Sequence, residues 1–151
     1  VPQVTAAATL SRMLRLLEAT PGMRVLEIGT GSGCSGALLS GIGARGDVVS
    51  IDVDLVWLSV LELGTSRRDT PIELHACDGV HGWKASVPFG RIVAWAAPHM
   101  LPTAWIERAA PGAVIVTPVN FRGLHRLSLP RLMLVSAVAF NQNSSVANLQ
   151  S

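Results

Sequence analysis

The stretch Val25-Leu26-Glu27-Ile28-Gly29-Thr30-Gly31-Ser32-Gly33 constrains this chain more than any other. Arg24 to Ile28 is a short apolar run carrying one acid, the pattern of a buried parallel strand. Three glycines alternate through the next five residues, and Ala37, Leu38, Leu39 and Ile42 then recur at helical spacing. Alternating glycines weaken a fold unless the backbone must turn sharply or let a ligand come close. A helix start adds unpaired N–H groups and a partial positive charge. Strand, glycine turn and helix together predict a site for a nucleotide-type cofactor, with a plain tight turn as the bland alternative. The spacing leaves the cofactor open. Gly31-Ser32-Gly33-Cys34-Ser35-Gly36 fits G-x-G-x-x-G, the dinucleotide pattern, whereas Gly29-Thr30-Gly31-Ser32-Gly33 fits G-x-G-x-G with Glu27 two residues ahead of it.

The flanking chain supplies the rest of such a site. Thr5 to Ala19 reads as a helix with an apolar stripe of Ala6, Leu10, Met13, Leu14 and Leu17, broken by Pro21-Gly22. Val48 to Asp52 is a second strand, and Asp52 closes it about twenty residues after the glycine turn, where an acid accepts hydrogen bonds from ribose hydroxyls. Its competing role, capping the next helix, suits Asp54 better. Leu55 to Leu63 reads as a helix, with Trp57 in its core or on its surface. Pro71 to Cys77 alternates as a third strand and runs into Asp78-Gly79, which is either a simple turn or an acceptor for an adenine amino group. His81 has no visible carboxylate partner and reads as a loop residue. Phe89 to Ala97 is a fourth strand, Thr103 to Ala110 a helix stopped by Pro111-Gly112, and Ala113 to Val119 a fifth strand. Leu124 to Leu129 and Leu132 to Phe140 read as two more strands, expected to form an antiparallel pair.

This alternation predicts one α/β domain over residues 1–140, an open parallel sheet with helices on both faces, followed by a polar, poorly ordered tail at 141–151. At 151 residues, 49% hydrophobic and 15% charged, the chain is long and apolar enough for a packed core. Eleven of its twelve basic residues are scattered arginines without aromatic interleaving, so no nucleic-acid surface is expected. Cys34 and Cys77 have no metal or disulfide spacing. No membrane-length apolar run and no charged-then-apolar leader occurs, and a cytoplasmic enzyme is expected. The chain opens on Val1 rather than Met, as an excised or incomplete segment would. The oligomeric state is not legible.

The G-x-G-x-G register with its acid resembles motif I of the S-adenosylmethionine-dependent methyltransferases. Over Pro21 to Val119 the likeness narrows. Leu26 to Gly33, Val49-Ser50-Ile51-Asp52-Val53-Asp54, Asp78-Gly79 with Gly82-Trp83, Pro88-Phe89, Ala96-Ala97-Pro98, Pro111-Gly112 and Pro118-Val119 resemble, in order and spacing, the protein-L-isoaspartate O-methyltransferases. That resemblance implies a Rossmann-like seven-stranded sheet, mostly parallel with an antiparallel C-terminal strand. It implies S-adenosyl-L-methionine as cofactor, held by Glu27, Gly29, Thr30, Gly31, Ser32, Gly33, Asp52, Val53, Asp78 and Gly79, and substrate contacts at Ala96, Ala97 and Val119. The implied reaction methylates the free α-carboxyl of an L-isoaspartyl residue in a protein or peptide. The chain also departs from the pattern. Pro2 stands where the family has a substrate-holding Ser, leaving Thr5 and Thr9 as the nearby hydroxyls. Gly90 replaces an acid, Asn120 a glycine, and Trp95 stands where a small residue is usual. A small-molecule or dedicated-peptide methyltransferase, and a cofactor-binding remnant without turnover, are the alternatives. A nicotinamide dehydrogenase is a weaker one.

Overall fold

The computed structural model describes residues 6–42, 48–54, 72–118 and 133–136. In chain order these form α1 (Ala7–Leu17), β1 (Val25–Ile28), α2 (Cys34–Gly41), β2 (Val48–Asp52), β3 (Ile72–Ala76), a 3-10 turn (Gly79–His81), β4 (Phe89–Ala94), α3 (Thr103–Glu107), β5 (Ala109–Thr117) and β6 (Met133–Ser136). The strands make one sheet in the order β3-β2-β1-β4-β5-β6, and every ladder is parallel.

Alternate residues of the strands feed two cores. Val25, Val48, Val93, Val114 and Val116 face one side, where Met13 and Leu17 of α1 and Leu39 of α2 cover them. Leu26, Ile28, Val49, Ile51, Phe89, Ile92, Ala94 and Ile115 face the other, against Trp105 of α3. Because both faces of β1 are covered, all four of its residues are buried, as its near-continuous apolar sequence requires. Glu27 shares the face of Val25 by the two-residue period of a strand. Among the described residues it is the one buried carboxylate.

Several expectations shift. The first helix begins at Ala7 and ends at Leu17, where the left-handed φ of 49° at Glu18 closes it before the Pro21-Gly22 turn. Of its expected stripe, Met13 and Leu17 are the buried members. The fourth strand stops at Ala94 rather than Ala97, where the chain bends at Trp95 and Ala96. The fifth strand starts at Ala109 and takes in Pro111-Gly112, which the sequence placed outside it as a helix stop. The cause is a register shift. Phe89 pairs with Ala109 while Arg91 pairs with Val114, so the proline and glycine lie in an irregularity that gives β5 three extra residues. The C-terminal strand is corrected as well. Among the described residues Met133 pairs with Val114 and Ser136 with Thr117, so β6 runs parallel to β5. Residues 119–132 span the dozen or so that a parallel crossover needs. The expected strand Leu124 to Leu129, the helix Leu55 to Leu63 with Trp57, and the tail at 141–151 lie outside the described residues.

Candidate cofactor and substrate site

The sheet order reverses between β1 and β4, since β1 is flanked by β2 on one side and β4 on the other. Open α/β sheets bind ligands in the crevice at such a point, beyond the C-terminal ends of the strands. Most described residues expected in the site sit on that edge, whereas Glu27 lies within β1 and Thr9 on α1. Gly29 to Gly33 follow β1, Asp52 and Val53 end β2, Asp78 and Gly79 follow β3, and Ala96 and Ala97 follow β4. Ala96 and Ala97 are exposed. Pro2, Thr5 and Val119 lie outside the described residues, and Thr9 is half-buried within α1.

Gly29, Gly31 and Gly33 adopt φ of 90°, 50° and 73°. Side chains rarely take up these conformations, which explains the alternating glycines. The Gly29 N–H donates to the carbonyl of Ile51 at 2.8 Å, and the Gly33 N–H to that of Thr30 at 2.9 Å. Asp52 completes the turn. Its Oδ2 accepts the Gly31 N–H at 3.1 Å and its Oδ1 accepts the Asp54 N–H at 3.2 Å. A carboxylate has about four lone-pair sites, so a half-buried Asp52 that accepts these two bonds retains capacity for a ligand's hydroxyls. The residues present therefore fit a ribose-bearing cofactor. Val53 beside it is 71% exposed.

Glu27 lies underneath this loop, fully buried. Its Oε1 accepts from the Ser35 hydroxyl and from the Trp95 indole N–H at 2.9 Å, and its Oε2 accepts from the Ser50 hydroxyl at 2.6 Å. Ser50 also bonds Thr30 at 2.8 Å. With Ser50 giving its single proton to Glu27, Thr30 must donate to Ser50. The side chains of Glu27 and Thr30 thus have their partners within the protein. Burial pushes the Glu27 carboxyl above the usual carboxylate range, the hydrogen bonds from Ser35, Ser50 and Trp95 draw it partly back, and the charge of Asp52 adds to the rise. Gly36, third glycine of the dinucleotide register, has a reason inside the fold. A β-carbon there would come within 2.9 Å of Glu27 Oε2.

Asp78 is exposed, and its Oδ1 accepts the Val80 N–H at 3.0 Å, capping the 3-10 turn. Gly79 packs so tightly on β1 that a β-carbon would collide with the Ile28 side chain, while its carbonyl accepts the Trp105 indole N–H at 2.8 Å. Gly79→Ala is therefore expected to cost about 1–3 kcal/mol through overpacking, read as a lower midpoint in urea unfolding. An unchanged midpoint would mean the turn moves off β1 freely.

The sequence did not single out His75, whose Nε2 lies 2.6 Å from Glu73 and whose ring stacks on Trp83 at 3.8 Å. An alternating strand places Glu73 and His75 on one face, and that period was the available signal. His81 is exposed in the 3-10 turn. Cys34 is exposed at the start of α2 and Cys77 is half-buried; both are free thiols. Among the described residues, no cluster of His, Cys, Asp and Glu could hold a metal ion, and no helix is long and apolar enough to cross a membrane.

Comparison with solved structures returns the same architecture. A protein-L-isoaspartate O-methyltransferase matches with a TM-score of 0.73 at 21% identity, over 79% of this chain and 38% of that one. A methyltransferase from Thiobacillus denitrificans in complex with S-adenosyl-L-homocysteine matches with a TM-score of 0.59 at 15% identity, over 76% of this chain and 49% of that one. An RNA methyltransferase from Salinibacter ruber, also in complex with S-adenosyl-L-homocysteine, gives 0.62 at 17% identity, over 78% of this chain and 79% of that one. The chain thus spans 38% of the length of the isoaspartate enzyme it resembles. At these identities the likeness is one of fold. The family is given by sequence: the model of the protein-L-isoaspartate (D-aspartate) O-methyltransferases matches residues 2–143, nearly the whole chain, and the chain belongs to that family.

Proposed function

We propose that this chain is an S-adenosyl-L-methionine-dependent O-methyltransferase acting on the α-carboxyl of L-isoaspartyl residues in proteins or peptides. The observation that carries the reading is the bond between the Gly31 N–H and Asp52 at the switch point, in a chain whose family match runs over residues 2–143. It joins a loop that admits a ligand closely to an acid suited to ribose.

When bound, the cofactor supplies a methyl group on a sulfonium, a good leaving group. The chain's residues do the rest. Gly29 to Gly33 let the ligand lie on the backbone, Asp52 accepts from the ribose hydroxyls, and Val53 with Asp78 and Gly79 borders the adenine. Glu27 and Thr30 hold the loop from below. Ala96 and Ala97, with Val119, border the substrate. A substrate carboxylate is ionised at neutral pH, so the site needs no general base. Orientation of carboxylate oxygen and methyl for in-line displacement, and exclusion of water, are what remain to be supplied. Pro2 in the place of a substrate-holding Ser leaves Thr9 and Thr5 as the hydroxyls closest in sequence. The proposal covers one catalytic domain over 1–140 with a tail at 141–151 outside it, and a cytoplasmic location, in keeping with two free cysteines.

The test uses cofactor labelled in its methyl group and a matched pair of peptides, one isoaspartyl and one aspartyl. Base-labile label on the isoaspartyl peptide alone is the expected result. Label on neither peptide, from a chain that binds S-adenosylhomocysteine, would overturn the isoaspartyl assignment in favour of a small-molecule acceptor. No binding of S-adenosylhomocysteine would overturn the methyltransferase reading itself.

A further inference from the structure

Trp95 is where this chain departs from a small residue at the end of β4, and the structure shows what the larger side chain does. Its backbone N–H continues the β1 ladder by donating to the carbonyl of Ile28 at 3.0 Å. Its β-carbon backs the glycine loop, 3.6 Å from where a β-carbon of Gly29 would stand. Its indole packs against the core shared by α1 and α2, and its ring N–H reaches the buried Glu27. From Glu27 the bonds run through Ser50 to Thr30, inside the loop. One residue therefore touches the loop twice, once directly and once through Glu27, and the next two residues along the chain are Ala96 and Ala97.

We propose that Trp95 is the positioning residue of this site, its indole on Glu27 holding the glycine loop in shape and fixing where the Ala96-Ala97 segment leaves the sheet. The chemistry of the donor set favours this role for the indole. The hydroxyls of Ser35 and Ser50 can donate or accept and can rotate, whereas an indole N–H only donates and is fixed by its ring. Trp95 is thus the partner that sets the orientation of the carboxyl, and the serines adapt to it. The inference concerns how the site is held. It rests on the proposed function only for its bearing on cofactor and substrate.

Trp95→Phe keeps the ring and removes the N–H. The amides of Gly29, Gly31 and Gly33 all donate hydrogen bonds in this structure, so hydrogen exchange reports the loop directly. Exchange at these amides is expected to speed up at least about tenfold in Trp95→Phe, an opening cheaper by the ~1.4 kcal/mol that corresponds to tenfold. Amides of α1 and β5 should keep their protection. Affinity for S-adenosylhomocysteine should fall by a similar factor, whereas Leu17→Val, which thins the same apolar core away from the loop, should leave it unchanged. Unchanged loop exchange, or a rise uniform over the whole chain, would overturn the proposal. So would a loss of stability with the affinity retained. A second readout leaves Trp95 in place. The chain has four tryptophans, and the Trp95 indole N–H resonance, assigned by replacing the other three, should shift on saturation with S-adenosylhomocysteine. A stationary signal in a chain that binds overturns the assignment. If the wild-type chain does not bind S-adenosylhomocysteine, the proposed function fails, and the exchange measurement alone decides the role of Trp95.

Discussion

A Glu27→Ala variant is expected to lose about 2–4 kcal/mol of folding stability, because a buried donor stranded without its acceptor costs roughly 1–3 kcal/mol. Two of the donors on Glu27 are serine hydroxyls that can turn elsewhere, and the third is the fixed indole N–H of Trp95. The loss is therefore less than three full penalties. For a chain of this size each kcal/mol lowers the melting temperature by roughly 2–4 °C, so a fall of about 5–15 °C is the expected reading. A smaller fall would mean that water enters the cavity and satisfies the donors. Glu27→Gln should cost less. Its amide oxygen can take the indole, and its NH2 can donate to Ser50, which then donates to Thr30. The pH dependence of the two chains should differ in a definite direction. Burial raises the Glu27 carboxyl above the usual carboxylate range, so the folded chain holds this proton more tightly than the unfolded chain. The stabilisation is complete below the ordinary carboxylate value and is lost as pH rises through the raised one. Over that window wild-type stability should decline with rising pH more steeply than that of Glu27→Gln. Parallel declines in denaturation midpoints across the window would show that Glu27 does not titrate there.

Asp52→Ala is expected to weaken S-adenosylhomocysteine binding by about 1–3 kcal/mol, or roughly 5- to 150-fold. Two losses combine. The ribose hydroxyls lose their acceptor, and the Gly31 N–H loses the Oδ2 that holds it at 3.1 Å, which loosens the loop before the ligand arrives. Asp52→Asn separates them, since an amide oxygen can still accept from Gly31 while the charge is gone. Its affinity should fall between wild type and Asp52→Ala in isothermal titration. If Asp52→Ala binds as tightly as wild type, Asp52 is a backbone cap for the loop and the ribose assignment is withdrawn.

Both predictions turn on the same few residues, and the two kinds of information reached them differently. Three alternating glycines between an apolar strand and a helix were enough to place the loop, since a local backbone requirement is written locally. Asp52 was legible for a similar reason: it stands at the end of the next strand, at the distance in sequence that the crossover demands. The order of motifs through Pro118-Val119 named the family, and the match over residues 2–143 agrees with it. The partners of Glu27 were not legible. Ser35, Ser50 and Trp95 lie 8, 23 and 68 residues from it, and no local pattern links them.

The same division accounts for the boundaries. In β1 and β2 the apolar run, the turn and the burial agree, and the sequence by itself determined the elements to within a residue. At Pro111-Gly112 local turn chemistry predicted an end, but the pairing of Phe89 with Ala109 carried the strand back past them. In the C-terminal part, the direction of β6 depended on which neighbour it met, and that neighbour is β5 in parallel. Periodicity and glycine placement act between near neighbours in the chain, so the sequence alone reached the fold class and the loop, and it put Asp52 forward as the ribose acid. Which buried donors meet Glu27, where β5 begins and which way β6 runs are matters of distant segments meeting. Only the tertiary structure decided them, because a carboxyl with no water must take its partners from whatever the packed sheet brings alongside.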